Sequence, residues 1–418
     1  DRGGRVDAQS AAMTASALAF LSLLFTASAP AADWPQWRGP ARDGIATSFQ
    51  APAVWKPDAL AKKWSVVVGE GHASPVVVGD RVFVFAREGE RETMRCLALT
   101  DGKELWKESH EVPYSPSFAA RKHGKGPKAT PTVADGRVFG LGIAGHVSAW
   151  DAASGRVLWR KDFSGAFKNA SPEFGAAASP LVEGDTMIVH VGGKDGGALT
   201  AFDVATGSVR WQWNGDGPGY SSPVIAIFGG VRHVITQTQK RCVALSPADG
   251  KLLWEIPFTT PYEQNSVTPV VLGDLVIFGG VGKPTFAVKV NGHSAATVWE
   301  AREITMYMST PVLAGARLYG MSDKSRGSLF ALEAASGRLL WKSEGRLGEN
   351  ASVTRIGDRL LVLSTTGEMT IQEPAGEGLR EIAKYRIAET PVWANPALTG
   401  NRILIKDLDT LVAWSTGG

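Results

Sequence analysis

The chain has 418 residues, 44% of them hydrophobic, with 14 Trp and only 2 Cys. That is ample material for a core, and a net charge of +3 is too mild to mark a nucleic-acid binder, because no segment clusters basic residues with interleaved aromatics. Length alone suggests roughly two or three domains, but internal repeats overrule that count in favour of one closed domain.

In chain order, Met13 to Ala32 reads as a secretory signal. Its apolar stretch Ala15–Phe25 has the length of an h-region and is short for a membrane span, and Ala29-Pro-Ala31 is a small-residue cleavage site. The expectation is a periplasmic or other extracytoplasmic protein with no transmembrane span after cleavage. Residues 33–62 form an N-terminal segment that opens Asp33-Trp-Pro-Gln-Trp-Arg-Gly-Pro-Ala-Arg-Asp-Gly44. Residues 63–418 are repeats.

Each repeat opens with a Ser/Thr-Pro step, followed by two apolar strands around a Gly/Asp turn such as Asp135-Gly136. The steps stand at Pro75, Pro131, Pro180, Pro223, Pro269 and Pro311; Ala351-Ser-Val353 is an eroded copy and Asn395-Pro396 a late one. A third strand ends in Ala-x-Asp, a Ser/Thr-Gly turn follows, and a fourth strand begins at Trp, as in Ala201-Phe-Asp-Val-Ala-Thr-Gly-Ser-Val-Arg-Trp211. Spacings between anchors run from 42 to 56 residues, the length of a four-stranded propeller blade. The expected fold is all-β: an eight-bladed β-propeller of four-stranded antiparallel blades. The last repeat has three strands, and Lys62-Lys-Trp-Ser-Val-Val-Val68 matches the missing fourth, so it is expected to close the ring. Trp64, Trp106, Trp159, Trp211, Trp254, Trp299 and Trp341 are read as blade-docking residues, with the Gly four residues earlier leaving room for each ring.

Little in the chain points to catalysis. No two of the 7 His lie at metal-ligand spacing, and there is no nucleophile elbow, phosphate loop or calcium loop, so no catalytic or metal residue is nominated. Two features stand out as a binding surface. The insert Glu111–Lys128 between the first two repeats gathers Tyr114, Phe118, Arg121, Lys122, His123, Lys125 and Lys128, and long loops in compact domains are often functional. The residues before the Pro anchors, namely Ser74, Thr130, Ser179, Ser222, Thr268, Thr310, Ser352 and Asn395, should ring the channel, with His72, Lys128, Tyr220, Tyr307, Asn350 and Trp393 just ahead of them. These hydroxyls either satisfy local backbone groups or line a ligand-binding mouth.

The repeat resembles the pyrroloquinoline quinone (PQQ) repeat family, whose docking signature Ala-x-Asp-x-x-Thr-Gly-x-x-x-Trp is matched throughout by residues 201–211. The Asp33–Gly44 opening is similar to that of bacterial PQQ-binding-like propellers, many of them called BamB-like. The BamB-like branch implies a monomeric scaffold that binds protein partners or extended peptides in envelope assembly, without a cofactor. Here no Cys stands near the signal to carry that branch's lipid anchor. The quinoprotein branch implies instead an alcohol or sugar dehydrogenase using PQQ with calcium on the axis. Such an enzyme would need acids there, and Glu173 and Asp195 are the candidates near the third repeat. A small-ligand or carbohydrate binder at the channel mouth is a third reading.

Overall fold

The computed structural model describes residues 33–194 and 196–417; the stretch Met13–Ala32 read as a signal, the residues before it, and Asp195 lie outside the described residues. Among the described residues there are eight four-stranded sheets, seven of them formed by consecutive strands. The eighth combines Ala397–Thr399, Arg402–Lys406 and Thr410–Thr416 with the N-terminal strand Leu60–Val67, which pairs antiparallel with Thr410–Thr416. The closing strand therefore starts two residues before Lys62 and pairs as the sequence implies.

The docking signature acts through three local devices. Asp203 accepts hydrogen bonds from the backbone of Ala205 and Thr206 and from the Thr206 hydroxyl, which fixes the turn. Gly207 then takes φ +67°, a conformation that favours glycine. Opposite Trp211 stands Ala201, at a bulge that recurs beside the same Ala–Trp pair in neighbouring blades.

Each Trp reaches into the next blade. The indole N–H of Trp64, Trp106, Trp159 and Trp211 donates to the carbonyls of Leu99, Ala152, Val204 and Pro247, at 2.9, 3.1, 3.0 and 2.9 Å. The receiving glycine also belongs to the following blade, not to the Trp's own repeat: a Cβ on Gly155 would lie 2.4 Å from the Trp106 ring, and one on Gly207 2.5 Å from Trp159. The same arrangement seats Trp299 on Gly337 and Trp341 on Gly378. Two interfaces differ. Trp254 packs edge-on to Phe278, and its neighbour His233 donates across to the Gly292 carbonyl. Blade seven has no Trp in this role; Tyr385 packs on Trp55 of the N-terminal segment instead. The core is accordingly a set of slabs between blades. One slab, for example, joins Phe139, Val147 and Trp159 to Met187, Val189 and Phe202. Cys96 and Cys242 are free, fully buried members of separate slabs.

Candidate functional site

The N-terminal segment enters the channel. Trp34 pairs with Val77 of blade one, the Pro35 carbonyl accepts from Val133 of blade two, and Ala46 donates to Arg355 of blade seven. Between these points two buried arginines reach opposite walls. Arg38 donates to the carbonyls of Thr310 and Pro311 at 2.9 and 2.8 Å, and Arg42 to those of Ser179 and Pro180 at 3.0 and 2.8 Å. Burial lowers their pKa to about 10 and about 9. The segment can fold this tightly because Gly39 and Gly44 have positive φ and abut Trp34 and the Arg38 guanidinium, where a Cβ would clash. We call this segment the plug. Sequence reading missed it, although Trp-Arg-Gly-Pro-Ala-Arg-Asp-Gly, without strand period and outside the repeats, was the available signal.

At the end of the channel where the innermost strands begin lies a cavity of about 130 Å³, into which the plug presents Trp37. Trp37 is held by its indole N–H, which donates to Thr268 Oγ1 at 3.0 Å. An aromatic collar surrounds the space: His72 lies 6.1 Å from Trp393, Trp393 5.4 Å from His123, His123 5.7 Å from Phe174, and Phe174 6.0 Å from Tyr220, ring centre to ring centre. Three contacts in this arc, those of His123 with Trp393 and Phe174 and of Phe174 with Tyr220, are edge-to-face.

The cavity is cationic. Lys128 lines it and donates to the Phe174 carbonyl. Burial brings its pKa down to about 8, opposed by Glu70. Burial, reinforced by Lys128, also pushes His72 down to about 3 and His123 to about 4, so both rings are neutral near pH 7. Behind them the Lys406 ammonium is held by the carbonyls of Gly71, Asp407 and Leu408. Asn350 Oδ1, His123 Nε2 and His72 Nδ1 are buried without a protein hydrogen-bond partner.

The residues singled out from sequence separate into groups. His72, His123, Lys128, Tyr220, Asn350 and Trp393 converge on the cavity, as do Ser222 and Asn395. Of the insert's other side chains, Arg121 lies over Phe118, Lys122 pairs with Glu349 and Lys125 with Glu90, while Tyr114 packs beside Ile143. Tyr307 is partly buried outside the cavity lining. The hydroxyl ring is engaged in joining blades: Asn395 N–H donates to Ser74, Ser74 to Thr130, Thr130 to Ser179, Ser179 to Ser222, and Thr268 to Thr310. Ser352 Oγ is buried without a partner. Phe174, Ala177, Gln264, Ser266 and Met308 complete the lining and carry no sequence signal.

Calcium takes six to eight oxygen ligands, with carboxylates prominent among them. No Asp or Glu lines this cavity, and no group of three or more His, Cys, Asp or Glu suited to a metal occurs among the described residues. Glu173 is exposed and lines two outer hollows instead. The donor set therefore does not fit PQQ held with calcium.

Comparison with known proteins gives one consistent picture. Residues 90–343 match the family model described as outer membrane protein assembly factor BamB. The chain is 23% identical over 385 residues to the outer membrane protein assembly factor BamB of Yersinia pestis, covering 87% of this chain and 91% of that protein. Among solved structures, BamB from Moraxella catarrhalis superposes with a TM-score of 0.63 at 16% identity, over 85% of this chain and 97% of that one. A europium-containing methanol dehydrogenase superposes with a TM-score of 0.65 at 13% identity, over 91% and 89%. At these identities the structural likenesses speak for the fold.

Proposed function

Because the match spans more than half of it, the chain belongs to the family of the outer membrane protein assembly factor BamB, and from that membership we propose an exported, non-enzymatic scaffold for protein interaction in cell-envelope assembly. The family match carries this reading. The surface supports it: Phe118 is 85% exposed with Arg121 over its ring, and Tyr262 is 83% exposed. Aromatic and Arg side chains held out in solvent are the groups a partner's surface buries most productively. The insert that carries Phe118 is tied down at its base by buried His123 and by the pairs Lys122–Glu349 and Lys125–Glu90. A surface ordered in advance loses less entropy on binding. Recognition then rests on surface complementarity, with an extended segment of the partner adding to an outer blade edge as a second contact.

The test is genetic and quantitative. A strain lacking the chain should contain less folded outer-membrane protein, by heat-modifiable mobility on gels. The wild-type gene should restore it, and a Phe118→Ser/Tyr262→Ser double variant should not. An unchanged outer-membrane protein content in the deletion strain would refute the assembly role.

A further inference from the structure

The axial cavity has the chemistry of a ligand site, and nothing in the assembly role uses it. Three observations define what it would take. First, Lys128 faces the space with only a backbone carbonyl as direct partner among the described residues, none of whose carboxylates lines the cavity. A desolvated ammonium so placed favours an anion. Second, the walls are aromatic, and their edge-to-face arrangement leaves ring surfaces for one more flat ring. Third, the space is small. At about 130 Å³ it is close to the roughly 150 Å³ cavity that holds a benzene molecule.

The unpartnered polar atoms narrow the choice further. Asn350 Oδ1 and His123 Nε2 sit in residues only 9% and 5% exposed, and with His72 Nδ1 they are the buried lining atoms that lack a protein partner. Buried polar groups are almost always satisfied in a working state. A sugar ring of this size would bring about five hydroxyls to be paired, more than these few atoms can serve. A single aromatic ring with one carboxylate brings two acceptor oxygens, for the Lys128 ammonium and a histidine N–H. A ring hydroxyl would add a donor for Asn350.

We propose that this cavity binds a small monocyclic aromatic carboxylate, with the carboxylate on Lys128 and the ring enclosed by Trp393, Phe174 and Tyr220. The inference is independent of the assembly role, since it concerns the channel and not the exposed aromatics.

The experiment is calorimetric titration of the full-length protein with benzoate and 4-hydroxybenzoate, against benzylamine and cyclohexanecarboxylate. Saturable one-to-one binding of an aromatic acid is expected, at least ten-fold tighter than either control, with quenching of tryptophan fluorescence. The phenolic acid should bind more tightly than benzoate. Lys128→Met should weaken the acids at least ten-fold and tighten benzylamine, whose ammonium then meets no like charge, while Trp393→Leu should weaken acids and amine alike. The wild-type comparison decides even where a variant fails to fold. Absence of binding by both acids at 10 mM, or equal binding of benzoate and benzylamine, would overturn the proposal.

Discussion

Gly207 and Gly184 isolate what the repeat's glycines contribute. Both have positive φ, but a Cβ on Gly207 would lie 2.5 Å from Trp159 whereas one on Gly184 meets nothing within 4 Å. Gly184→Ala should therefore cost only the left-handed strain, about 1 kcal/mol, and Gly207→Ala about 2–4 kcal/mol because overpacking is added. Urea denaturation measures both, and equal losses would remove the packing role. Glu92 offers a pH-dependent counterpart. Its side chain is fully buried, it accepts the Ile143 N–H at 2.7 Å, and its second oxygen has no partner. Burial pushes its pKa from 4.5 up to about 7, against the Ile143 hydrogen bond and the charges of Arg87 and Arg160. The native state thus holds a proton that the unfolded chain releases. Stability should fall as pH rises from about 4.5 to about 7, by up to about 3 kcal/mol. Glu92→Gln keeps the acceptor and lacks the titration. Its stability relative to wild type should be even at pH 4.5 and higher at pH 8; a difference constant with pH would show that Glu92 does not titrate.

Two elements outside the repeats, the plug and the closing strand, can be separated by where the chain is cut. A chain beginning at Ala51 loses Arg38 and Arg42 and their hydrogen bonds to the channel carbonyls but keeps Trp55 and Leu60–Val67. It should remain a folded monomer with a lower melting temperature. A chain beginning at Gly69 also loses the fourth strand of the last blade, exposing the backbone of Thr410–Thr416 as an open edge. It should aggregate, and size-exclusion chromatography with circular dichroism distinguishes the two outcomes. A stable monomer from the Gly69 chain would mean that strand exchange does not hold the ring shut. The closing strand was legible in advance because it copies a repeat. The plug was not, because its contacts are set by the channel alone: Trp37 meets Thr268 across 231 residues of sequence.

For the molecule as a whole, periodicity told what every blade shares, and the axis is where blades differ. The Trp and Gly of the signature recur because six of the eight interfaces are built on them, so fold and blade count follow from sequence. The cavity draws single residues from unrelated loops. His123 was singled out as one of the insert's side chains, and it stands neutral and 5% exposed inside the collar. Phe174 and Met308 gave no signal, since one apolar residue in a loop resembles any other. The order of synthesis adds a last consequence. Leu60–Val67 leaves the ribosome before the other seven blades, but Thr410–Thr416 and the Gly400 carbonyl that receives Gln50 leave after them. Until then blade eight has its fourth strand but lacks its first three, and the slab around Trp64 has one face uncovered. A chain whose synthesis stops before Thr410–Thr416 therefore keeps a sticky edge, which arrival of those residues hides. The ring acts as its own completeness check, presenting prematurely ended copies to proteases while sealing finished ones.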